Sequence, residues 1–329
     1  MAAPSHYRHI SVDPGSKALS LVESALPKPR GRDLTIEVAG AGLNRADLLQ
    51  RQGLYPAPAD ASPVLGLEVS GIVVAKGEAV TQFEVGDRVC ALVHGGGYAS
   101  HCNIREDQCM RVPKQIDLVD AAGLPEALLT TWLNVFERAR LQAGETLLMQ
   151  GGSSGIGSIA VQMARLWGAK TVATAGGPEK CEKLVTLGTD RVVDYRAEDF
   201  VEAVNEFTQG QGANVIFDMV GGDYIQKHIQ CAAVEGRIAN IAYQNGFEAN
   251  IHFGLVLIKR LTLSASTLRP QSFDHKASML NDIHKHFGQA LAEGDLAPVI
   301  DTHFSLEDAA AAQDYMASGK HFGKILLRP

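Results

Sequence analysis

The stretch Thr146-Leu-Leu-Met-Gln-Gly-Gly-Ser-Ser-Gly-Ile-Gly-Ser-Ile-Ala-Val-Gln-Met-Ala164 holds residue types that can grip a phosphate. A glycine-rich turn lets backbone approach an anion closely. The helix that follows offers N–H groups that no preceding turn can satisfy. Gly152 and Gly157 hold the outer positions of a G-x-G-x-x-G-like turn, Gly155 adds freedom inside it, and Ser154 stands where a second glycine would be. The chemistry expected of Gly152, Ser153, Ser154, Gly155, Ile156 and Gly157 is pyrophosphate binding. Ser153 and Ser154 are also helix-capping types, so a glycine turn without a ligand is the competing account.

The flanking pattern favours the ligand. An apolar strand over 146–149 enters the turn, and a second strand over 170–175 follows the helix. Ile156, Ile159, Ala160, Met163, Ala164 and Trp167 form the helix's apolar stripe. Together these are half of a dinucleotide-binding βαβ unit.

Other chemistry-bearing residues are dispersed. The five cysteines, at 90, 102, 109, 181 and 231, contain no C-x-x-C. They read as reduced thiols of a cytoplasmic protein with no disulfide framework. His284 and His286 are two apart on a helix and do not share a face. No metal site is expected.

A chain of 329 residues is long for one core, so two domains are expected. A formal charge of −7 leaves no electrostatic footprint for nucleic acid. No apolar run reaches membrane-spanning length, and the N-terminus lacks a signal-peptide core.

The first 120 residues read as strands and turns, with strands near 34–38, 69–74 and 88–93 and frequent Gly and Pro. A small irregular barrel fits that texture. From Pro125 the texture changes to alternating units. Helices are expected over 128–138, 181–187, 197–208, 224–232 and 253–260, with strands over 191–194, 215–219, 237–241 and 261–265. The fold class is α/β, an irregular β-barrel domain plus a doubly wound parallel sheet. Helices over 279–292 and 308–317 and a final strand over 324–327 return to the first domain. The expected domains are therefore 1–124 with 268–329, and 125–267.

Several motifs in order carry a family resemblance. They are Gly42-Leu-Asn-Arg-Ala-Asp47, Arg51-Gln-Gly-Leu-Tyr-Pro56, Pro63-Val-Leu-Gly-Leu-Glu-Val-Ser-Gly71, Val85-Gly-Asp-Arg-Val89, Gly96-Gly-Tyr-Ala99, Pro125-Glu-Ala-Leu-Leu-Thr130, the turn over 151–157 and Gly319-Lys-His-Phe-Gly-Lys-Ile-Leu-Leu327. With them the chain resembles the zinc-free quinone oxidoreductases of the medium-chain dehydrogenase/reductase superfamily. The resemblance implies a GroES-like domain, a nucleotide domain, NADPH held between them, and hydride transfer to a small quinone or other electrophilic acceptor. Zinc alcohol dehydrogenases of that superfamily have Cys at the position of Asn44 and His at that of Leu67. Neither Asn nor Leu can replace a thiolate or an imidazole on zinc. Glu68 is expected to be a buried acid paired with a basic side chain, and Arg45 and Asp47 could form a local ion pair.

By the same resemblance, Asn44 lies beside nicotinamide and acceptor, Tyr55 walls the acceptor pocket, and Thr130 lines the cofactor cleft. Gly221 and the loop with Asn240, Ala242 and Tyr243 approach the nicotinamide, and Leu268 follows the last strand. Arg269 is a substrate-edge cation or a surface ion-pair member. The neutral strand tip at Gly176 and Gly177, with Lys180 and Tyr195, suits a 2′-phosphate and hence NADP over NAD. A family arginine near the C-terminus is replaced by Gly319, so Lys320 is a further candidate. Asn44 and Tyr55 are expected to set distance and orientation, with no obligatory side-chain acid. Reduction of enones or other activated alkenes is the alternative, and a non-catalytic cofactor- or RNA-binding role a second one. A homodimer is expected through the nucleotide domain, because a last strand near 261–265 would be an exposed apolar edge.

Overall fold

Turn residues at short intervals cut the first part of the chain into brief strands. The structure, a computed structural model, describes Pro4–Pro329. In chain order the elements begin with β1 (His6–Val12), β2 (Leu19–Ala25), β3 (Asp33–Gly42), α1 (Arg45–Gln52), β4 (Glu68–Lys76), β5 (Arg88–Leu92), β6 (His101–Arg105) and β7 (Cys109–Arg111). They continue with α2 (Pro125–Thr131), β8 (Thr146–Met149), α3 (Gly155–Leu166), β9 (Lys170–Ala175), α4 (Pro178–Thr186), β10 (Arg191–Asp194) and α5 (Phe200–Phe207). Next come β11 (Ala213–Asp218), α6 (Tyr224–Cys231), β12 (Ala232–Asn240), α7 (Phe253–Lys259) and β13 (Thr262–Ala265). The chain closes with α8 (Phe273–Glu293), β14 (Ile300–Ser305), α9 (Ala309–Ala317) and β15 (Lys324–Arg328). Contacts divide it into two compact units, Met1–Glu126 with Arg269–Pro329, and Ala127–Leu268.

In the first unit one sheet runs β14-β15-β3-β4-β5-β7, and β6 also pairs with β3. Its core gathers Ile36, Val38, Leu43, Val69, Val89, Tyr98, Ile325 and Leu327. The last strand joins the third: β15 pairs antiparallel with β3 through Leu326↔Gly42 and Leu327↔Ala41. The Leu43 N–H then donates to the Ile325 carbonyl at 3.0 Å. Lys324 is thereby carried to the end of β3, where α1 begins. The reading of strands and turns alone is corrected here, because residues 45–52 are helical. Only Asp47 and Leu48 of α1 are buried, which leaves no apolar stripe to announce it.

In the second unit the sheet order is β10-β9-β8-β11-β12-β13, with every neighbouring pair parallel. Leu147, Leu148 and Met149 of β8 and Val215, Ile216 and Phe217 of β11 are fully buried, as strands covered on both faces must be. The order reverses direction between β8 and β11. In a doubly wound sheet that switch point opens a crevice at the carboxyl ends of the strands. The helix expected over 128–138 is α-helical only to Thr131 and continues as a wider π-type turn, Trp132–Arg138.

Candidate functional site

The turn after β8 lies at the switch point. Gly151 N–H donates to Thr174 Oγ1 at 3.1 Å and Gly152 N–H to the Thr174 carbonyl at 2.9 Å, which ties the turn to β9. Ser154 is the N-cap of α3, its Oγ accepting the Gly157 N–H at 2.9 Å. The capping alternative therefore holds for Ser154, while Gly155 and Ile156 supply first-turn N–H groups that face outward from the helix. Gly157 has to be glycine: an added Cβ would fall 2.7 Å from Gly152 Cα. The close approach of helix and turn fits this cradle to a pyrophosphate.

At the carboxyl ends of β11 and β12, Asp218 organises the backbone. Its Oδ1 accepts the Val220 N–H at 2.8 Å, and its Oδ2 accepts the Gly221 N–H at 3.0 Å and the Asn240 amide. Burial pushes its carboxyl up to about 6 against those hydrogen bonds. Asn240, 4% exposed, thus spends its side chain on Asp218 and shapes the loop from within. Gly221 lies directly under Tyr243, since an added Cβ would come 2.5 Å from the Tyr243 ring. Ala242 and Tyr243 are half-buried beside it. Thr130, 5% exposed, and Leu268, 6% exposed, are both buried, and Asn134 links the helix that carries Thr130 to Ser266, just after β13. The Asn134 amide donates to the Thr130 carbonyl at 2.9 Å and accepts from Ser266 Oγ at 2.7 Å. Sequence reasoning passed over both Asp218 and Asn134.

The end of β9 faces the end of β10. Gly176 lies against Tyr195 and Arg196: a Cβ there would stand 2.5 Å from the Tyr195 hydroxyl and 3.0 Å from Arg196 Nε. Asp194 Oδ1 accepts the Gly177 N–H at 3.0 Å and the Arg196 N–H at 3.1 Å, and these bonds hold its carboxyl below the usual range. Lys180 is half-buried in the first turn of α4. The neighbouring Glu179 carboxylate pairs with Lys183 at 2.9 Å, one turn on. Lys320 belongs to the first unit and is exposed after α9. Asp194 and Arg196 complete this corner and were not among the expected contacts.

The polar centre of the first unit is buried. Asn44 Nδ2 donates to Glu68 Oε1 at 2.9 Å, and Asn44 Oδ1 accepts from Lys324 Nζ at 2.9 Å. Lys324 also ion-pairs with Glu68; the two are 3% and 0% exposed. The second Glu68 oxygen accepts the Glu126 N–H at 2.9 Å at the start of α2. The expected basic partner of Glu68 is therefore Lys324. Asp47 does not join Arg45, which is exposed. It accepts the Asn44 N–H at 2.8 Å and the Tyr98 hydroxyl at 3.1 Å. Burial pushes the Asp47 carboxyl up to about 7, and burial with nearby Glu68 does the same for Glu126. For Asp47 and Glu126 desolvation outweighs the attraction of the nearby ammonium groups, so these two acids lean toward the neutral form.

Tyr55 and Arg269 stand together near the other end of α1. The Arg269 guanidinium carbon is 5.8 Å from the Tyr55 ring centre, and its Nη1 donates to Gln50 Oε1 at 2.6 Å. Arg269 is only 6% exposed, which corrects the surface ion-pair alternative. Among the described residues, no three His, Cys, Asp or Glu side chains converge as metal ligands would, and all five cysteines are free.

Residues 30–114 match the GroES-like alcohol dehydrogenase domain family, and residues 155–282 match the zinc-binding dehydrogenase family. The chain is 30% identical to quinone oxidoreductase-like protein 2 of Bos taurus over 93% of its own length and 88% of that protein's. It is 34% identical, over 94% of its length, to a phenolphthiocerol/phthiocerol polyketide synthase of Mycobacterium tuberculosis, but spans only 14% of that protein. Among solved structures, Escherichia coli quinone oxidoreductase complexed with NADPH superposes with a TM-score of 0.85 at 27% identity, over 98% of this chain and 100% of that one. CurK enoyl reductase superposes with a TM-score of 0.84 at 28% identity, over 98% and 99%. With its GroES-like unit, its parallel nucleotide-binding sheet and these relatives, the chain belongs to the zinc-free quinone oxidoreductase family of the medium-chain dehydrogenase/reductase superfamily.

Proposed function

We propose that the protein reduces quinones with a hydride taken from NADPH and without a metal. The observation that carries this reading is the closed Asn44–Glu68–Lys324 cluster. An amide stands at the position where zinc relatives have a thiolate, and an ammonium already neutralises the carboxylate beside it. Such a centre suits an acceptor that needs no Lewis acid. A quinone is one, because its reduced form is a stabilised anion that can take its proton from solvent. The names of the bovine relative and the Escherichia coli structure support the same acceptor class.

When bound, NADPH supplies the hydride. The chain's own part is to hold and orient. The N–H groups of Gly155 and Ile156, in the first turn of α3, are offered to the pyrophosphate, and Lys180, Tyr195 and Arg196 suit a 2′-phosphate by charge and by donors. The reading requires these groups to hold one cofactor and Asn44 with Tyr55 to orient the acceptor against it, where small displacements cost about a hundredfold in rate.

Reduction of an activated alkene is the second reading. It is supported by the likeness to CurK enoyl reductase and by Glu126, which burial keeps near neutrality at about 7. Reducing an alkene places a proton on carbon, a need that quinone reduction lacks. The test is a steady-state screen of purified protein with NADPH and NADH against a quinone panel and an enone panel. Rapid turnover with quinones alone is expected. Turnover with enones alone reverses the order of the two readings, and cofactor binding without turnover on either panel rejects both.

A further inference from the structure

Arg269 presents one edge that its surroundings leave open. Its Nη1 is engaged by Gln50, whereas Nε and Nη2 are buried without a hydrogen-bond partner among the described residues. Those two N–H groups lie on the same edge of the planar guanidinium and point in parallel. That edge takes both oxygens of a carboxylate at once. A buried charged donor left unmatched is costly, so the edge is poised for an anion. A second cation makes the region more positive: Lys276, 3% exposed, donates to the Arg269 carbonyl at 2.9 Å. The acids that bear on Arg269 from farther off are Asp47 and Glu126. Both are held toward the neutral form by burial, at about 7.

We propose that the Nε/Nη2 edge of Arg269 binds a carboxylate carried by the acceptor, so that the preferred acceptors are acidic. The inference rests on the reductase reading only for what the rest of the acceptor is. Gln50 follows Asn44 by six residues on α1, a rise of about 9 Å at 1.5 Å per residue. The carboxylate and the reducible carbon then sit at opposite ends of a molecule about two fused rings long. Both nitrogens are shielded from solvent. The neighbour that yields to admit the carboxylate is Tyr55, half-buried in the turn that follows the left-handed Gly53.

Two measurements test this. The first is binding of 2-naphthoate, followed by calorimetry, to the wild type, Arg269→Gln and Arg269→Lys. Binding is expected in the wild type, at least tenfold weaker in Arg269→Gln, and also weaker in Arg269→Lys, which keeps the charge and loses the paired donors. The second is kcat/KM for 1,4-naphthoquinone-6-carboxylate, whose carboxylate is on the ring away from the quinone, relative to 1,4-naphthoquinone. That ratio is expected to fall about tenfold in Arg269→Gln; the substituent's own electronic effect is common to both proteins and cancels. Equal naphthoate affinity and an equal ratio in wild type and variants would overturn the proposal, as would no naphthoate binding to the wild type. If no quinone is reduced, the acceptor class above fails, while loss of naphthoate binding in the variants still upholds the anion site. Should Arg269→Gln not fold, Arg269→Lys carries the comparison.

Discussion

Glu68 is completely buried, and Lys324 is the ammonium that makes this tolerable. A buried ion pair adds little net stability, but removing one partner strands the other. Lys324→Met is therefore expected to cost about 3–5 kcal/mol of unfolding free energy. Urea denaturation followed by circular dichroism measures it, and a loss below about 1 kcal/mol would show that Glu68 is easily satisfied otherwise. Asp47 has the opposite character, an acid that folding prefers neutral. Its carboxyl titrates at about 7 in the folded chain against an ordinary 3.8. Between those values the folded state holds a proton that the unfolded state has released. The associated stability is present at low pH and is lost as pH rises through about 7. Relative to Asp47→Asn, the wild type should lose stability from about pH 4 to about pH 7 and then level off. Melting temperatures of both proteins across that range check it; parallel curves would mean that Asp47 is ionised in the fold.

At the scale of elements, the paired ends of β9 and β10 bring a hydroxyl, a guanidinium and an ammonium-bearing helix start to one corner. Glu179, the acid that would oppose a phosphate there, is turned to Lys183. Lys180→Ala and Arg196→Ala are each expected to raise KM for NADPH at least about tenfold more than KM for NADH. That matches the loss of one charge-assisted hydrogen bond of about 1.5–3 kcal/mol. Equal kcat/KM with the two cofactors in the wild type would remove the basis of this preference.

At the scale of the molecule, β13 is one of the two edges of the parallel sheet, with Leu263 exposed along it. Beside it α7 has no buried residue and shows Phe253, Leu257 and Ile258 at 70%, 78% and 70% exposure. Apolar side chains on an unpaired edge are usually covered, and a two-fold contact would cover both copies alike. A dimer is expected by light scattering at micromolar concentration, with Leu257→Asp shifting it to monomer. A monomeric wild type across that series would reject it. The chemistry of Asn44 and Leu67 also predicts activity that survives chelation. Stoichiometric zinc whose removal abolishes turnover and whose return restores it would overturn that expectation.

Strands over 146–149, 170–175 and 191–194 were legible to the residue; the first two are inner parallel strands, covered on both faces and mostly apolar, and the third is a short edge strand with Val192 and Val193 between charged ends. The phosphate turn was legible for a different reason. Its glycines answer a local demand of backbone crowding, which the neighbouring residues state by themselves. By contrast, α1 was missed because it is a polar helix held by its ends: Asp47 bonds the Asn44 N–H at its start and Gly53 closes it in the left-handed region. The sequence alone showed that a buried Glu68 needs a base, but not which of the Lys and Arg side chains supplies it. Lys324 lies 256 residues away and reaches Glu68 only because β15 pairs with β3. Likewise the open edge of Arg269 exists only once Gln50 has taken its Nη1. Turns and periodicity are local properties of the chain, whereas the neutralisation of a buried charge depends on which distant strand is packed beside it.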